Sequence, residues 1–209
     1  MTNGTKFQVY GHSDSGHSYK VCLFLTLAGL PYAYTHVDVF KPLAERSPDF
    51  RAASRFGEVP VLLHDGLCIT QSNAILLYLA AATGRFGGAD RTETVSINEW
   101  LFWEMSRLNL GVANLRFALH FEDHPPPQRV ALFRERAEAA LLQLDKHLRE
   151  SRFVVGKRLT IADISCAGYL FWADQAHLDL SRYPNVPRWL GDIRSSKGWQ
   201  PPGALLRAA

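Results

Sequence analysis

Tyr10 closes a short apolar run, and the ten residues after it, Gly11 to Lys20, hold two glycines and the small polar side chains of Ser13, Asp14, Ser15 and Ser18. The apolar stretch Val21-Cys22-Leu23-Phe24-Leu25 follows at once. A hydroxyl cluster between a strand and a helix is placed to serve an anion. The amides of a first helical turn have no partner inside the helix, and the helix dipole adds partial positive charge there, so the junction favours a thiolate or a phosphate. A free thiol titrates near ~8.5 and is mostly protonated at neutral pH. One hydrogen bond to a charged group contributes roughly 1.5–3 kcal/mol, so a single serine donor would lower a bound thiol's pKa by roughly one to two. The helix end would add roughly 0.3–1 kcal/mol. A serine in that role donates a hydrogen bond and keeps its proton.

Two further motifs carry polar chemistry. In Glu58-Val59-Pro60-Val61 the proline has no N–H for a β ladder, and its peptide bond is open to either isomer. Gln71-Ser72 stands before Ala74-Ile75-Leu76-Leu77-Tyr78-Leu79, so Ser72 is expected to cap a helix whose first amides would suit an amino-acid carboxylate. Gln71 is uncharged and can only accept or donate hydrogen bonds. Farther along, Thr160 and Asp163 are spaced as a capping pair, flanked by Leu159 and Ile164 as an apolar staple, so Asp163 reads as a structural residue rather than a catalytic acid.

The elements that must position these residues change character along the chain. Phe7-Gln8-Val9-Tyr10 reads as a strand, Ser18 to Ala28 as a helix stopped by Gly29 and Pro31, and Tyr32 to Val37 as a second strand. Val59 to Leu63 and Leu67 to Thr70 flank His64-Asp65-Gly66, a strong hairpin signal. After the glycine-rich stretch Thr83 to Asp90 the remaining chain reads as helical, over Ile97–Phe117, Pro127–Glu150 and Ile161–Gln175. The 209 residues are 47% apolar and 21% charged, which suits one large or two small folded domains. Lys and Arg number 23 against 20 Asp and Glu, a balance of +3 with no basic run, which argues against nucleic acid. Cys22, Cys68 and Cys166 are widely spaced within apolar stretches and read as buried thiols in a reducing compartment. The polar start Met1 to Lys6 has no apolar core of signal-peptide length behind it, and no window approaches the ~20 apolar residues of a membrane span.

Taken in order and at their spacing, Val59-Pro60-Val61 and Gln71-Ser72-Asn73-Ala74-Ile75 make the chain resemble a bacterial cytosolic glutathione transferase, one with a serine-type active site. The resemblance implies a thioredoxin-like first domain (βαβ–α–ββα with a mixed sheet) over 1–82, a linker over 83–92 and an all-helical domain over 93–209. It implies a cis bond before Pro60, with the backbone of Val59 turned to pair with glutathione, and Ser72 gripping the γ-glutamyl carboxylate. Gln71 would meet the ligand's ammonium without balancing it, so a carboxylate from elsewhere, such as a partner subunit, is expected. The family's catalytic position selects Ser15, with Ser13 and Ser18 as competitors and His17 as an added donor. Lys41, and less so Arg55, would face the glycine carboxylate. The stretch Ser54-Arg55-Phe56-Gly57 departs from the family's usual Asn-Pro-x-Gly. The helical domain would supply an apolar electrophile site, with Trp103, Glu104 and Arg107 as candidates for that site or for dimer contacts.

The activity implied is transfer of glutathione sulfur to a small hydrophobic electrophile. Glutathione would act as co-substrate in a cytoplasmic homodimer, without metal, membrane or nucleic acid. The alternatives are a glutathione-dependent peroxide or disulfide reductase and a non-catalytic binding protein of the same fold.

Overall fold

A computed structural model describes residues 7–207; the polar start Met1 to Lys6 lies outside the described residues. The chain forms two compact units, one running to Arg85 and resumed from Ser196, the other spanning Phe86–Ser195.

The first unit is built on a four-stranded mixed sheet in the order β2-β1-β3-β4. Strand β1 (Phe7–Gly11) runs parallel to β2 (Tyr32–His36), with Phe7 opposite Tyr32, and antiparallel to β3 (Val61–His64), with Tyr10 opposite Val61. Strand β4 (Leu67–Thr70) pairs antiparallel with β3, Val61 opposite Thr70. Asp65 and Gly66 make the turn with φ of 47° and 78°, the two positive values that a type I′ hairpin needs.

Helix α1 (Gly16–Leu27) ends in a Schellman motif, in which Leu30 N donates to Leu25 O and Gly29 N to Thr26 O, with Gly29 at φ 70°. The expected stop at Gly29 is thus realised in full. A short α2 (Pro48–Ala53) precedes β3, and α3 (Ser72–Thr83) follows β4. Val9, Leu23, Leu25, Leu62, Ile75 and Leu79 are wholly buried and join the sheet to α1 and α3. The expected helical domain over 93–209 differs from the observed unit at its end, because the chain from Ser196 packs back on α1. Tyr19 Oη donates to Gln200 O at 2.7 Å, and α9 (Pro202–Leu205) lies against α1.

The second unit is helical: α4 (Arg91–Trp103), α5 (Asn109–Phe121), α6 (Pro127–Leu148), α7 (Ile161–Ala167) and α8 (Asn185–Arg194). Asp90 caps α4 by accepting from Glu93 N at 2.9 Å, which ends the connecting stretch where the glycines predicted. The single helix expected over Ile97–Phe117 carries a π-helical turn, Glu104–Leu108, between α4 and α5. Helices α5 and α6 cross so closely that a Cβ on Gly111 would lie 2.4 Å from Ala137 N. The helix expected over Ile161–Gln175 stops at Ala167. Gly168 weakens the helix there, and the backbone tightens into i→i+3 bonds such as Trp172 N to Tyr169 O.

At the start of α7 the expected capping box is present, and Asp163 anchors more than the cap. Its carboxylate accepts from Thr160 N (2.8 Å), Thr160 Oγ1 (3.0 Å), Val154 N (2.7 Å) and the buried Trp189 Nε1 (2.9 Å). Burial pushes its pKa up, against the pull of those donors. No helix of the described residues is long and apolar enough to cross a membrane.

Candidate functional site

The register of the sheet brings the singled-out residues of the first unit to one end. Because β3 is antiparallel to β1, the loop leaving Tyr10 emerges beside the residues that enter Val61. Because β4 is antiparallel to β3, the residues leaving Thr70 emerge there too. The Ser15 loop, Val59-Pro60 and Gln71-Ser72 therefore meet although they are far apart in sequence.

Ser15 is the N-cap of α1: its Oγ accepts from Ser18 N at 3.1 Å. The helix thus starts earlier than the expected Ser18. A hydroxyl has one hydrogen and two acceptor positions, and among the described residues no acceptor takes the Ser15 hydrogen. Ser18 is wholly buried, where its Oγ accepts from His12 N at 3.2 Å. Gly11 leaves room for it, since a Cβ there would lie 3.0 Å from Ser18 Oγ and 2.8 Å from the Tyr34 ring. Ser13 is exposed and donates to Asp14 Oδ2 at 3.1 Å. Tyr10 is buried edge-on against Phe50 at 5.8 Å, as a packing residue.

His17 and Ser72 are joined across the site, with His17 Nδ1 3.1 Å from Ser72 Oγ. Burial, with a smaller contribution from the Lys20 cation, pushes the His17 pKa down to about 3, so its ring is neutral at physiological pH. The expectation that Ser72 caps α3 is corrected. Gln71 takes the N-cap position, at φ 68° and ψ 113°, and Ser72 is the first helical residue, its hydroxyl turned to His17. A positive φ on a non-glycine residue costs of order 1–3 kcal/mol and persists where its surroundings enforce it.

The peptide bond between Val59 and Pro60 is cis, as the resemblance implied; Pro60 is buried and Val59 half-buried. The unusual stretch before it is well tied. Ser54 Oγ donates to Glu58 O at 2.9 Å, Gly57 takes φ 69°, and Arg46 Nη1 donates to Gly57 O at 2.7 Å. Arg46 also binds the carbonyls of Val39 and Lys41. Lys41 itself is exposed and lines a cleft of about 160 Å³ with His36, Asp38, Glu45, Arg46 and Ser47. Arg55 is exposed. Glu58 escaped the sequence reading: Gln71 Nε2 donates to its Oε2 at 2.9 Å. Its signal was the hairpin register, which carries the residues around Pro60 to those around Gln71.

The helical unit places its candidates differently. Glu104 is only 2% exposed and accepts from Ser165 Oγ at 3.1 Å, so its carboxylate faces the interior of that unit. Trp103 is half-buried, its Nε1 donating to Gln143 Oε1 at 3.1 Å. Arg107 is exposed and lines a cleft of about 400 Å³ with Ser106, Leu110, Arg136, Ala139 and Gln143. Of the cysteines, Cys22 and Cys166 are buried, but Cys68 is exposed because it sits on β4, the edge of the sheet.

This arrangement agrees with what is known of one family. The profile described as glutathione S-transferase, N-terminal domain, matches residues 5–81, and that of the C-terminal domain matches residues 127–192. The chain is 32% identical over 197 residues to the disulfide-bond oxidoreductase YfcG of Escherichia coli strain K12, covering 89% of this chain and 88% of the relative. Among solved structures, a possible glutathione S-transferase from Rhodopseudomonas palustris is 33% identical with a TM-score of 0.86, covering 95% of this chain and 98% of that one. A glutathione S-transferase from Pseudomonas fluorescens Pf-5 is also 33% identical, with a TM-score of 0.86 over 94% of this chain and 98% of that one. The chain belongs to the glutathione S-transferase family, with a thioredoxin-like sheet domain followed by a helical one.

Proposed function

We propose that this protein is a glutathione transferase in which Ser15 holds the sulfur of glutathione as a thiolate for attack on a small hydrophobic electrophile. The observation that carries this reading is the hydrogen-bond state of Ser15: its oxygen already caps α1, and its hydrogen is left to donate. The first domain, 1–82, binds the tripeptide. Val59 pairs with its backbone beside Pro60, Ser72 takes the γ-glutamyl carboxylate together with the α3 N-terminus, His17 steadies Ser72, and Lys41 faces the glycine carboxylate. A connecting stretch leads into the helical domain, whose Trp103 and Arg107 contribute to the electrophile site or to the contact between two copies of a cytoplasmic homodimer.

The test is the ultraviolet absorbance of bound glutathione across a pH series. Wild type is expected to hold the thiolate roughly one to two pH units below the free thiol. Unchanged titration and unchanged turnover in Ser15→Ala would remove Ser15 from the mechanism.

A second reading is favoured by the relative named as a disulfide-bond oxidoreductase. Here the glutathione thiolate attacks a small disulfide, forming one S–S bond, breaking another and releasing the second thiolate. No protein cysteine takes part, since a serine stands at position 15. A panel of aryl halides, hydroperoxides and small disulfides separates the two.

A further inference from the structure

The contact between Gln71 and Glu58 decides what charge the site presents to its ligand. Gln71 has a two-sided amide, one oxygen that accepts and one nitrogen that donates. Its nitrogen is committed to Glu58 Oε2 at 2.9 Å, so its oxygen is the side left for a ligand. Glu58 is exposed, and among the described residues its carboxylate pairs with no cation. Its backbone is held by Ser54 Oγ on the Glu58 carbonyl and, one residue earlier, by Arg46 on Gly57 O. The pair therefore presents a fixed surface of acceptors with one full negative charge and no outward donor. An alkylammonium, with three donors, one positive charge and no acceptor, is its complement.

We infer that Glu58, acting beside Gln71, is the specificity residue for the free α-ammonium of the peptide ligand. It supplies from within the chain the negative charge that Gln71 lacks. The inference rests on the reading that the γ-glutamyl end of glutathione lies at Gln71 and Ser72. Gln71 sets the direction by turning its nitrogen inward, and Glu58 provides the charge.

The experiment compares binding of glutathione and of glutaryl-cysteinylglycine, which has hydrogen in place of the ammonium, by calorimetry at low salt. Wild type is expected to prefer glutathione about tenfold, a charge-assisted hydrogen bond's worth of affinity. Glu58→Gln is expected to bind the two peptides alike, with its affinity for the glutaryl peptide unchanged. The exchange variant Glu58→Gln/Gln71→Glu moves the charge one side chain over and is expected to restore the preference. A structural role for Glu58 would not be rescued in this way. Glu58→Gln that keeps the preference, or that weakens both peptides equally, overturns the assignment. Wild type that binds both peptides equally overturns it while leaving the peptide site in place, and wild type that binds neither removes the peptide site as well.

Discussion

His17 and Ser72 stand 3.1 Å apart between imidazole nitrogen and hydroxyl, though 55 residues separate them in sequence, and they tie the first turn of α1 to the first residue of α3. In an unfolded chain the histidine takes up a proton near ~6.5; in the folded protein it does so only at about 3. Between those values the unfolded state binds more protons, so His17 contributes stability fully above pH ~6.5 and loses it as the pH falls toward about 3. His17→Gln is expected to flatten the fall of stability with acid over that window, by at most about 1.4 kcal/mol per pH unit. Urea melts at a series of pH values check this. Parallel curves for the two proteins would show that His17 does not titrate as its burial requires.

Ser15 performs two tasks that substitution can separate. Alanine at an N-cap costs about 0.5–2 kcal/mol, and glycine only a few tenths. Ser15→Gly is therefore expected to melt close to wild type while turnover at neutral pH falls about tenfold or more, because the thiolate loses its donor. A Ser15→Gly protein with normal turnover would leave Ser15 as a cap alone. Ser15→Cys incubated with oxidised glutathione is expected to acquire a new property, a mixed disulfide detectable by mass, its thiolate attacking the glutathione disulfide and releasing one glutathione thiolate.

Gly111 sits where α5 meets α6 at backbone distance, so its replacement tests the closeness of that crossing. Alanine would gain about 1 kcal/mol of helix propensity, but its Cβ would meet Ala137 N at 2.4 Å and Ala137 Cα at 2.6 Å. Overpacking of this kind costs about 1–3 kcal/mol. Gly111→Ala is expected to lower stability by up to about 2 kcal/mol in urea denaturation, the clash outweighing the gain in propensity. A stabilised variant would mean that the two helices can part without cost.

Asp163 receives four hydrogen bonds, all from residues of its own unit. In Asp163→Asn one oxygen becomes a donor pointing at donors, and the expected loss is about 3 kcal/mol of stability. Turnover per folded molecule is expected to stay as in wild type. Loss of turnover in protein that is fully folded by circular dichroism would give Asp163 a role in the reaction.

What the sequence revealed most clearly was local chemistry. Asp65-Gly66 specified its hairpin and Gly29 its helix stop, and Thr160 with Asp163 specified a capping box, because in each the partners lie within a few residues. Where the decision was non-local, the reading shifted. Ser72 looked like a cap by type, but its hydroxyl goes to His17, and only the sheet register brings that residue near. Glu58 had no motif of its own and gained a role from lying beside Gln71. Cys68 looked buried by its neighbours and is exposed on β4, the last strand in the sheet order of the described residues. The early end of α7 falls just before Gly168, a helix-weakening residue that apolar periodicity alone does not weigh, and the π-helical turn after Trp103 leaves no mark in that periodicity.

The return of the chain to α1 after Ser196, fastened by Tyr19 to Gln200, makes the helical unit an insertion within the sheet unit. On the ribosome the order of events follows from this. The helices of Phe86–Ser195 can close as soon as they emerge, whereas the sheet unit, although made first, is completed last.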